Sequence, residues 1–198
     1  MAALATSWLL AGASAARAQV TAEPANAVVF PDPNKFARGL YTEGEIGAVA
    51  FFGRAGDTVS PGFAVGARVG YDLFRWLALQ AHFLGSTHQL SDGAGALSGQ
   101  LLQTYQAALE GKLTLRFGQA SIFGEGGIGV ARLSTNALYV LMVEPQYRVG
   151  FTAGGGAGAD YHSLSRHFSV GVRGDYLVMT NLSSSQELMA TTYLRYTF

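Results

Sequence analysis

Apolar residues recur at every second position of this sequence, from Gly39 to its last residue, in eight separate runs. In the second run Phe63, Val65, Ala67 and Val69 alternate with small or charged residues. A period of two is the pattern of a β-strand, because successive side chains of a strand point to opposite faces of the sheet. The sequence therefore predicts an all-β protein of eight strands.

The remaining positions of the same strands hold most of the charged residues and many glycines, such as Gly66, Gly70 and Gly156. One face of the predicted sheet is therefore apolar, and the other combines charges of both signs with the smallest side chain. Six basic and seven acidic residues make up this charged set: Glu43, Glu45, Arg68, Asp72, Glu110, Lys112, Arg116, Glu125, Arg148, Asp160, Arg173, Asp175 and Arg195.

The connections between the predicted strands are alternately long and short. This alternation predicts antiparallel strands in up-and-down order, with loops at one end and tight turns at the other, as in barrels of outer membranes. The longer connections are residues 53–61, 89–103, 134–145 and 180–187, and the shorter ones are Arg75, 118–119 and 162–166.

Composition excludes several classes of function. Only 13% of the 198 residues are charged, whereas a soluble domain averages about 25%. The formal net charge is zero, which argues against a nucleic-acid partner because such proteins present a basic face. The chain contains no cysteine, so disulfides, a cysteine nucleophile and a thiolate metal site are excluded.

The first 38 residues differ from the rest. Residues 2–15 are small or apolar, and Ala16-Arg17-Ala18 matches the A-x-A pattern of a signal-peptidase site, although no basic residue precedes the apolar stretch. We expect a signal peptide over residues 1–18, an extended proline-containing leader over residues 19–38, and the barrel over residues 39–198.

Alternation alone does not tell which face of the barrel points outward. A soluble eight-stranded barrel has its apolar set inside, around a ligand, whereas a membrane barrel has it outside, against lipid. Thirteen charges are too few to coat a soluble exterior, and eight strands leave a lumen that side chains just fill. The sequence therefore favours a transmembrane barrel with an apolar exterior and a charged, glycine-rich lumen. Outward aromatic residues near the strand ends predict two interfacial girdles: Phe52, Phe63, Phe83, Tyr105, Tyr147 and Tyr176 at one end, and Tyr71, Phe117, Tyr161, Phe168 and Tyr196 at the other.

The sequence ends in an alternating segment with an aromatic final residue, Tyr193-Leu194-Arg195-Tyr196-Thr197-Phe198. This ending resembles the terminal signature of bacterial outer-membrane proteins, and residues 39–198 resemble the eight-stranded OmpA, OmpX and OmpW-like barrels in their pattern. The resemblance implies insertion into the outer membrane of a Gram-negative bacterium by the barrel-assembly machinery, with Tyr196 and Phe198 as the assembly signal. It also implies contact with outer-membrane lipid.

Charges inside a narrow barrel must be paired, because an unpaired buried charge is strongly destabilising. We expect the thirteen charges to form a lumen network. Arg68, Arg148 and Arg173 are the candidates to bridge acids, because a guanidinium binds two partners at once. The acids to be bridged are Asp72, Glu110 and Glu125. Such a network plugs the lumen, and a gated or narrow pore is the alternative.

Catalytic and metal sites are the weaker interpretations. Ser86 and His88 share the lumen face of the third strand, but no acid stands near them in the sequence to complete a hydrolase triad. His162 and His167 lie in one turn, where Asp160 is the nearest carboxylate, so we predict no metal site and no cofactor.

The connection between Ser134 and Pro145 contains an apolar run, Leu138-Tyr139-Val140-Leu141-Met142. One interpretation is that strands five and six extend beyond the membrane as a hairpin. The other is a contact patch for a partner, because exposed apolar surface commonly marks an interface.

Taken together, these features favour a non-enzymatic outer-membrane protein that acts as a scaffold for other envelope proteins. Residues 39–53 and 69–85 resemble small barrels of myxobacterial gliding-motility complexes, which implies a role in an envelope-spanning machine. A narrow channel for small solutes and a lipid-A-modifying enzyme are the alternatives.

Overall fold

The computed structural model describes residues 39–91, 97–134, 148–163, 167–180 and 186–198. The predicted signal peptide, the predicted leader, Tyr147 and the apolar run Leu138–Met142 lie outside these residues. Among the residues described, no helix is long and apolar enough to cross a membrane.

Eight strands form one closed antiparallel barrel, in which each strand pairs with the next and β8 pairs with β1. The predicted all-β, up-and-down fold is confirmed. The strands are β1 (Leu40–Phe52), β2 (Gly62–Asp72), β3 (Leu77–Ser91), β4 (Leu97–Phe117), β5 (Ala120–Leu133), β6 (Val149–His162), β7 (Phe168–Met179) and β8 (Gln186–Thr197).

Apolar side chains face outward, and charged side chains face the lumen. Leu109, Ile128 and Phe151 are 70%, 72% and 74% exposed, whereas Arg68 and Lys112 are 0% and 1% exposed. A closed barrel pairs all its strands, so an apolar exterior of this kind is compatible with lipid. The predicted orientation of the two faces is confirmed.

Tight connections join the strands at one end of the barrel, which we call the turn end; the opposite end is the loop end. In the β4–β5 turn, Gly118 has a φ of +64°, in the left-handed region that glycine occupies without strain. Outward aromatic residues lie exposed near both ends. They are Tyr71, Phe117, Tyr161 and Phe168 at the turn end, and Phe52, Phe63, Tyr105 and Tyr176 toward the loop end. Phe83, predicted for the loop-end girdle, instead lies near the middle of the wall, six residues from the start of β3.

The loop predicted at residues 89–103 is mostly strand, which corrects the sequence interpretation. β3 reaches Ser91 and β4 begins at Leu97, with a register shift between Gln89 and Ser91. The reason is that apolar residues are no longer confined to the outward face: Leu90 and Leu102 point inward and are 0% exposed, while Gln89 points outward. The apolar-outward pattern therefore ends before the strands do.

Candidate functional site: the packed lumen

The centre of the lumen is an ion-pair cluster around Arg68 of β2. Its guanidinium bonds to Glu45 of β1. It also lies 3.2 Å from Glu110 Oε2, 3.4 Å from Glu125 Oε1 and 3.4 Å from Asp175 Oδ2. These carboxylates belong to β1, β4, β5 and β7, so one buried side chain connects strands from opposite sides of the barrel.

Two further side chains of β3, Gln80 and His82, complete the hydrogen bonding of this cluster. Gln80 Nε2 donates to Glu110 Oε2 at 2.7 Å and to Glu125 Oε2 at 3.0 Å. The two ring nitrogens of His82 lie 2.7 Å from Glu45 Oε1 and 3.0 Å from Glu110 Oε1. Alternation places both residues on the lumen face, but the sequence pattern did not indicate that they share these carboxylates.

Arg173 of β7 extends the cluster toward the turn end. Its Nη2 donates to Glu43 Oε2 at 2.7 Å, and its Nη1 donates to Glu45 Oε2 at 3.1 Å. Its Nε lies 3.1 Å from Glu125 Oε1. Arg68 and Arg173 therefore share Glu45 and Glu125, which makes one continuous network of the two sets of pairs.

Asp72 pairs with Arg195, not with any of the three arginines predicted for it. Arg195 Nη2 donates to Asp72 Oδ2 at 2.5 Å, and the guanidinium stacks 3.5 Å from the centroid of the Tyr41 ring. The closing contact between β1 and β8 brings these residues together. Asp72 and Arg195 are 123 positions apart in the sequence, so the alternation pattern does not indicate that they are in contact.

Asp160 and Lys112 form a further group near the turn end. Lys112 Nζ lies 3.7 Å from Asp160 Oδ2, 3.7 Å from Glu43 Oε1 and 3.7 Å from the centroid of the Phe123 ring. Asp160 accepts hydrogen bonds from Ser121 Oγ and, at 3.0 Å, from Tyr193 Oη. The remaining predicted cation of this end, Arg116, is half-buried on β4.

Arg148 lies outside the lumen network, contrary to the sequence expectation. It directly precedes the first residue of β6, and its Nε donates to the Leu133 backbone oxygen at 3.1 Å. Its position at the loop end, beyond the charged layers, explains why its contact is to backbone.

Large lumen side chains lie over glycines of the neighbouring strand. The sequence placed glycines on the lumen face, but it did not identify the aromatic side chains that lie over them. Tyr41 and Tyr193 each stand two positions before a charged lumen residue of the same strand. This spacing was the signal in the sequence that their side chains face the lumen. A Cβ on the glycine would collide with the ring in three cross-strand pairs: Gly70 with Tyr41, Gly158 with Phe123, and Gly171 with Tyr193.

Toward the loop end, the charged layers give way to a buried apolar cluster, which we call the apolar cap. The cap closes the lumen above the ionic network, and the sequence pattern did not predict it. Its members are Val49, Phe51, Ala55, Val59, Ala64, Leu84, Leu90, Leu102, Ala131, Leu133, Met179 and Met189.

Ser86 and His88 lie beside the cap as a buried polar pair. Ser86 Oγ lies 2.8 Å from His88 Nε2 and 2.6 Å from Thr104 Oγ1. His88 Nδ1 lies 3.1 Å from the Ser60 backbone oxygen, where a hydrolase triad has a carboxylate. Both side chains are buried inside the barrel, on the opposite side of its wall from the lipid.

The two histidines of the β6–β7 turn have separate partners. His162 Nε2 lies 3.0 Å from Asp160 Oδ1, and His167 Nδ1 donates to the Thr197 backbone oxygen at 2.8 Å. In the part of the chain that the structure covers, no group of three or more His, Asp or Glu side chains is arranged to hold a metal ion.

The network leaves little free space. A cavity of about 20 Å³ lies among His82, Glu110, Glu125 and Asp175. One water molecule needs roughly 10–15 Å³ measured in this way, so the cavity holds about one water and not a file of them.

The final aromatic residues lie where the barrel closes. The Tyr196 and Phe198 rings are 5.0 Å apart and nearly perpendicular, and Tyr196 also lies 5.0 Å from the Phe168 ring. The Phe198 backbone N–H donates to the Leu40 oxygen at 3.0 Å. The proposed assembly signal therefore presents aromatic surface at the turn end of the β8–β1 seam.

Comparison with known proteins identifies one family. The sequence model of the family described as "Outer membrane protein beta-barrel domain" matches residues 5–194. No curated protein sequence matches the chain.

Several solved structures share the architecture. The crystal structure of Neisserial surface protein A has a TM-score of 0.61 at 10% identity, covering 83% of this chain and 100% of that protein. The N-terminal β-barrel domain of OprF from Pseudomonas aeruginosa has a TM-score of 0.48 at 13% identity, covering 82% and 100%. Ail from Yersinia pestis has a TM-score of 0.45 at 13% identity, covering 82% and 100%. At 10% identity the similarity to Neisserial surface protein A establishes the fold alone.

Proposed function

We propose a structural, non-transporting role for this chain, which belongs to the outer membrane protein beta-barrel domain family and resides in the outer membrane of a Gram-negative bacterium. In this role the barrel anchors other envelope proteins and performs no chemistry. The observation that most favours it is the packed lumen: an ionic network that connects opposite walls, closed toward the loop end by the apolar cap.

The energetics of opening support a closed barrel. A continuous water path requires at least one buried ion pair of the network to separate, and breaking such a pair costs about 3–5 kcal/mol. Over that range the open form is populated in roughly one molecule in 140 to one in 4,000. The apolar cap would also have to open.

Conductance in planar bilayers tests this part of the proposal. We expect no discrete current steps at either polarity from protein whose folding is verified by its shift in gel mobility on boiling. Reproducible steps that change when Arg68 or Glu110 is neutralised would instead establish the narrow channel.

The anchoring part of the proposal concerns partners. We propose that Leu138–Met142, between strands β5 and β6, contacts another envelope protein, because five consecutive apolar residues are unusual in a connection between strands. The test is a pull-down from detergent-solubilised outer membranes with the intact chain and with a variant in which Leu138, Val140 and Leu141 are replaced by Ser. Partners recovered only with the intact chain support the proposal, and equal recovery contradicts it.

Gliding motility is the finer proposal, supported by the resemblance of residues 39–53 and 69–85 to barrels of such complexes. Its test is deletion of the gene in the native host, followed by measurement of surface spreading. Restoration of lost spreading by the intact gene supports the assignment, and unchanged spreading excludes it.

The enzyme alternative predicts that lipid A is modified when the chain is overproduced. We expect the mass spectrum of lipid A to be the same for the intact chain and for Ser86→Ala, because Ser86 lies inside the barrel wall. A mass change that Ser86→Ala abolishes would overturn the non-enzymatic role.

A further inference from the structure

Arg132 breaks the rule that strand charges face the lumen. Of the charged strand residues whose side chains the structure describes, Arg132 of β5 alone points outward, where it is exposed. No carboxylate in the described ranges forms an ion pair with it. A cation on the lipid face is unfavourable at the centre of a membrane and becomes tolerable near an interface.

The position of Arg132 along β5 places it at the outer interface. It lies twelve residues beyond Ala120, the first residue of the strand. At about 3.3 Å per residue and a tilt of about 40°, this separation is about 30 Å along the barrel axis. The apolar band of a membrane barrel is about 25 Å tall, so Arg132 lies at the level of the headgroups on the loop side.

An apolar groove of about 700 Å³ lies next to Arg132 on the outer wall. The groove forms because small residues, Ala67, Gly85 and Ala107, occupy outward positions of the wall. The larger rings of Phe83 and Tyr105 project beside them. The lining extends from β2 to β6. At about 4.8 Å between strands, the groove follows the curved wall over an arc of roughly 19 Å.

Polar contacts begin directly beyond this groove. The Ser134 N–H donates to the Gln103 oxygen at 2.8 Å, and the Gln103 N–H donates to Ser134 Oγ at 3.2 Å. Tyr105 Oη donates to Gln103 Oε1 at 3.2 Å. Arg132 is the cross-strand partner of Tyr105, so the cation lies at the boundary between apolar wall and polar rim.

We propose that Arg132 and this groove form a binding site for lipid A, the phosphorylated and multiply acylated glycolipid of the outer leaflet. The guanidinium binds a lipid phosphate through paired N–H donors, and acyl chains lie over Ala67, Gly85 and Ala107. The positive charge of Arg132 is opposite in sign to that of the phosphate. The width of the groove matches several parallel chains better than the two chains of a glycerophospholipid.

Native mass spectrometry of the detergent-solubilised barrel tests the site, with purified bisphosphorylated lipid A as the probe. We expect one lipid A molecule to be retained, and Arg132→Gln to weaken retention about tenfold, because one charge-assisted contact to phosphate is lost. Arg132→Lys, which keeps the charge, should recover part of the loss. The matched control is Arg75→Gln, since Arg75 is exposed in the β2–β3 turn at the opposite end.

The apolar half of the site is tested by filling the groove. A Cβ on Gly85 comes no nearer than 3.8 Å to the Tyr105 ring, so Gly85→Leu adds a side chain to the groove without a clash at its Cβ. Gly111 lies on the outward face of β4, outside the groove, and a Cβ added there meets no atom within 4 Å, which makes Gly111→Leu the matched control. We expect Gly85→Leu to weaken retention about tenfold and Gly111→Leu to leave it unchanged.

Two results would overturn the proposal. One is equal retention of lipid A by the intact chain and Arg132→Gln, which would mean that the guanidinium only reaches water. The other is equal retention of phosphatidylglycerol and lipid A, which would mean that the groove takes any anionic membrane lipid. Boiling-dependent gel mobility verifies folding of every variant, so that a loss of binding is not a loss of structure.

Discussion

Replacing Arg68 with leucine removes the central cation of the lumen network while retaining apolar volume. The side chain is 0% exposed, and four carboxylates lie within 3.4 Å of its guanidinium. Without the cation, these acids repel one another across a region that admits about one water. We expect Arg68→Leu to lower the free energy of unfolding sharply.

The magnitude follows from the pairs that are broken. Removing one partner of a buried ion pair costs about 3–5 kcal/mol, and Arg68 has four acidic partners, of which Glu45 and Glu125 keep a contact to Arg173. We therefore expect a loss of about 5 kcal/mol, near the upper end of that range. Neutralising Glu45 as well should restore about 2 kcal/mol, within the usual coupling between contacting residues.

Urea-induced unfolding in lipid vesicles, followed by tryptophan fluorescence, measures these differences. Arg75→Leu is the control, because Arg75 is exposed in a turn, and it should change stability by less than about 0.5 kcal/mol. If Arg68→Leu unfolds within about 1 kcal/mol of the intact protein, the network does not stabilise the barrel and the reasoning fails.

The same unfolding assay checks two further predictions, and an assembly assay checks a third. Gly158→Ala should lose about 1–3 kcal/mol, because its Cβ overlaps a lumen ring, whereas Gly124→Ala, with its nearest atom at 3.9 Å, should lose nothing; equal losses would refute the packing argument. Leu102→Ala in the apolar cap should lose about 2–5 kcal/mol, against less than about 0.5 kcal/mol for its exposed neighbour in Leu101→Ala; similar values would mean that the cap is not a packed core. Phe198→Ala should reduce the amount of barrel recovered from outer membranes, yet change the stability of refolded protein by only about 1 kcal/mol, since the ring is 63% exposed; undiminished recovery would argue against an assembly signal.

The fold was largely predictable because one physical constraint acts on every strand. Lipid outside and a narrow lumen inside force a period of two, and residues such as Leu109 and Lys112 reveal the two faces by their chemistry alone. Prediction failed where that constraint ends. At Leu90 and Leu102 apolar side chains point into the lumen, so a pattern based on outward apolar residues ends before the strands do.

The sequence predicted which side chains face the lumen, but not which of them form ion pairs with one another. Parity places Asp72 and Arg195 on the same face, whereas their contact depends on the closure of β8 onto β1, 123 residues apart. Arg148 was predicted to join the lumen network and does not. The alternation of side chains does not tell how far along the barrel axis a residue lies. The outward charge of Arg132 could be found from parity, but the groove beside it depends on five adjacent strands and becomes visible only in three dimensions.

The rings that lie over glycines have an evolutionary consequence. In each of these pairs, growth of one member requires the other to shrink, so neither site is free to drift alone. Among relatives of this chain, the side-chain sizes at three pairs of positions should therefore vary together, a larger residue at one position accompanying a smaller one at the other. The pairs are 41 and 70, 123 and 158, and 171 and 193.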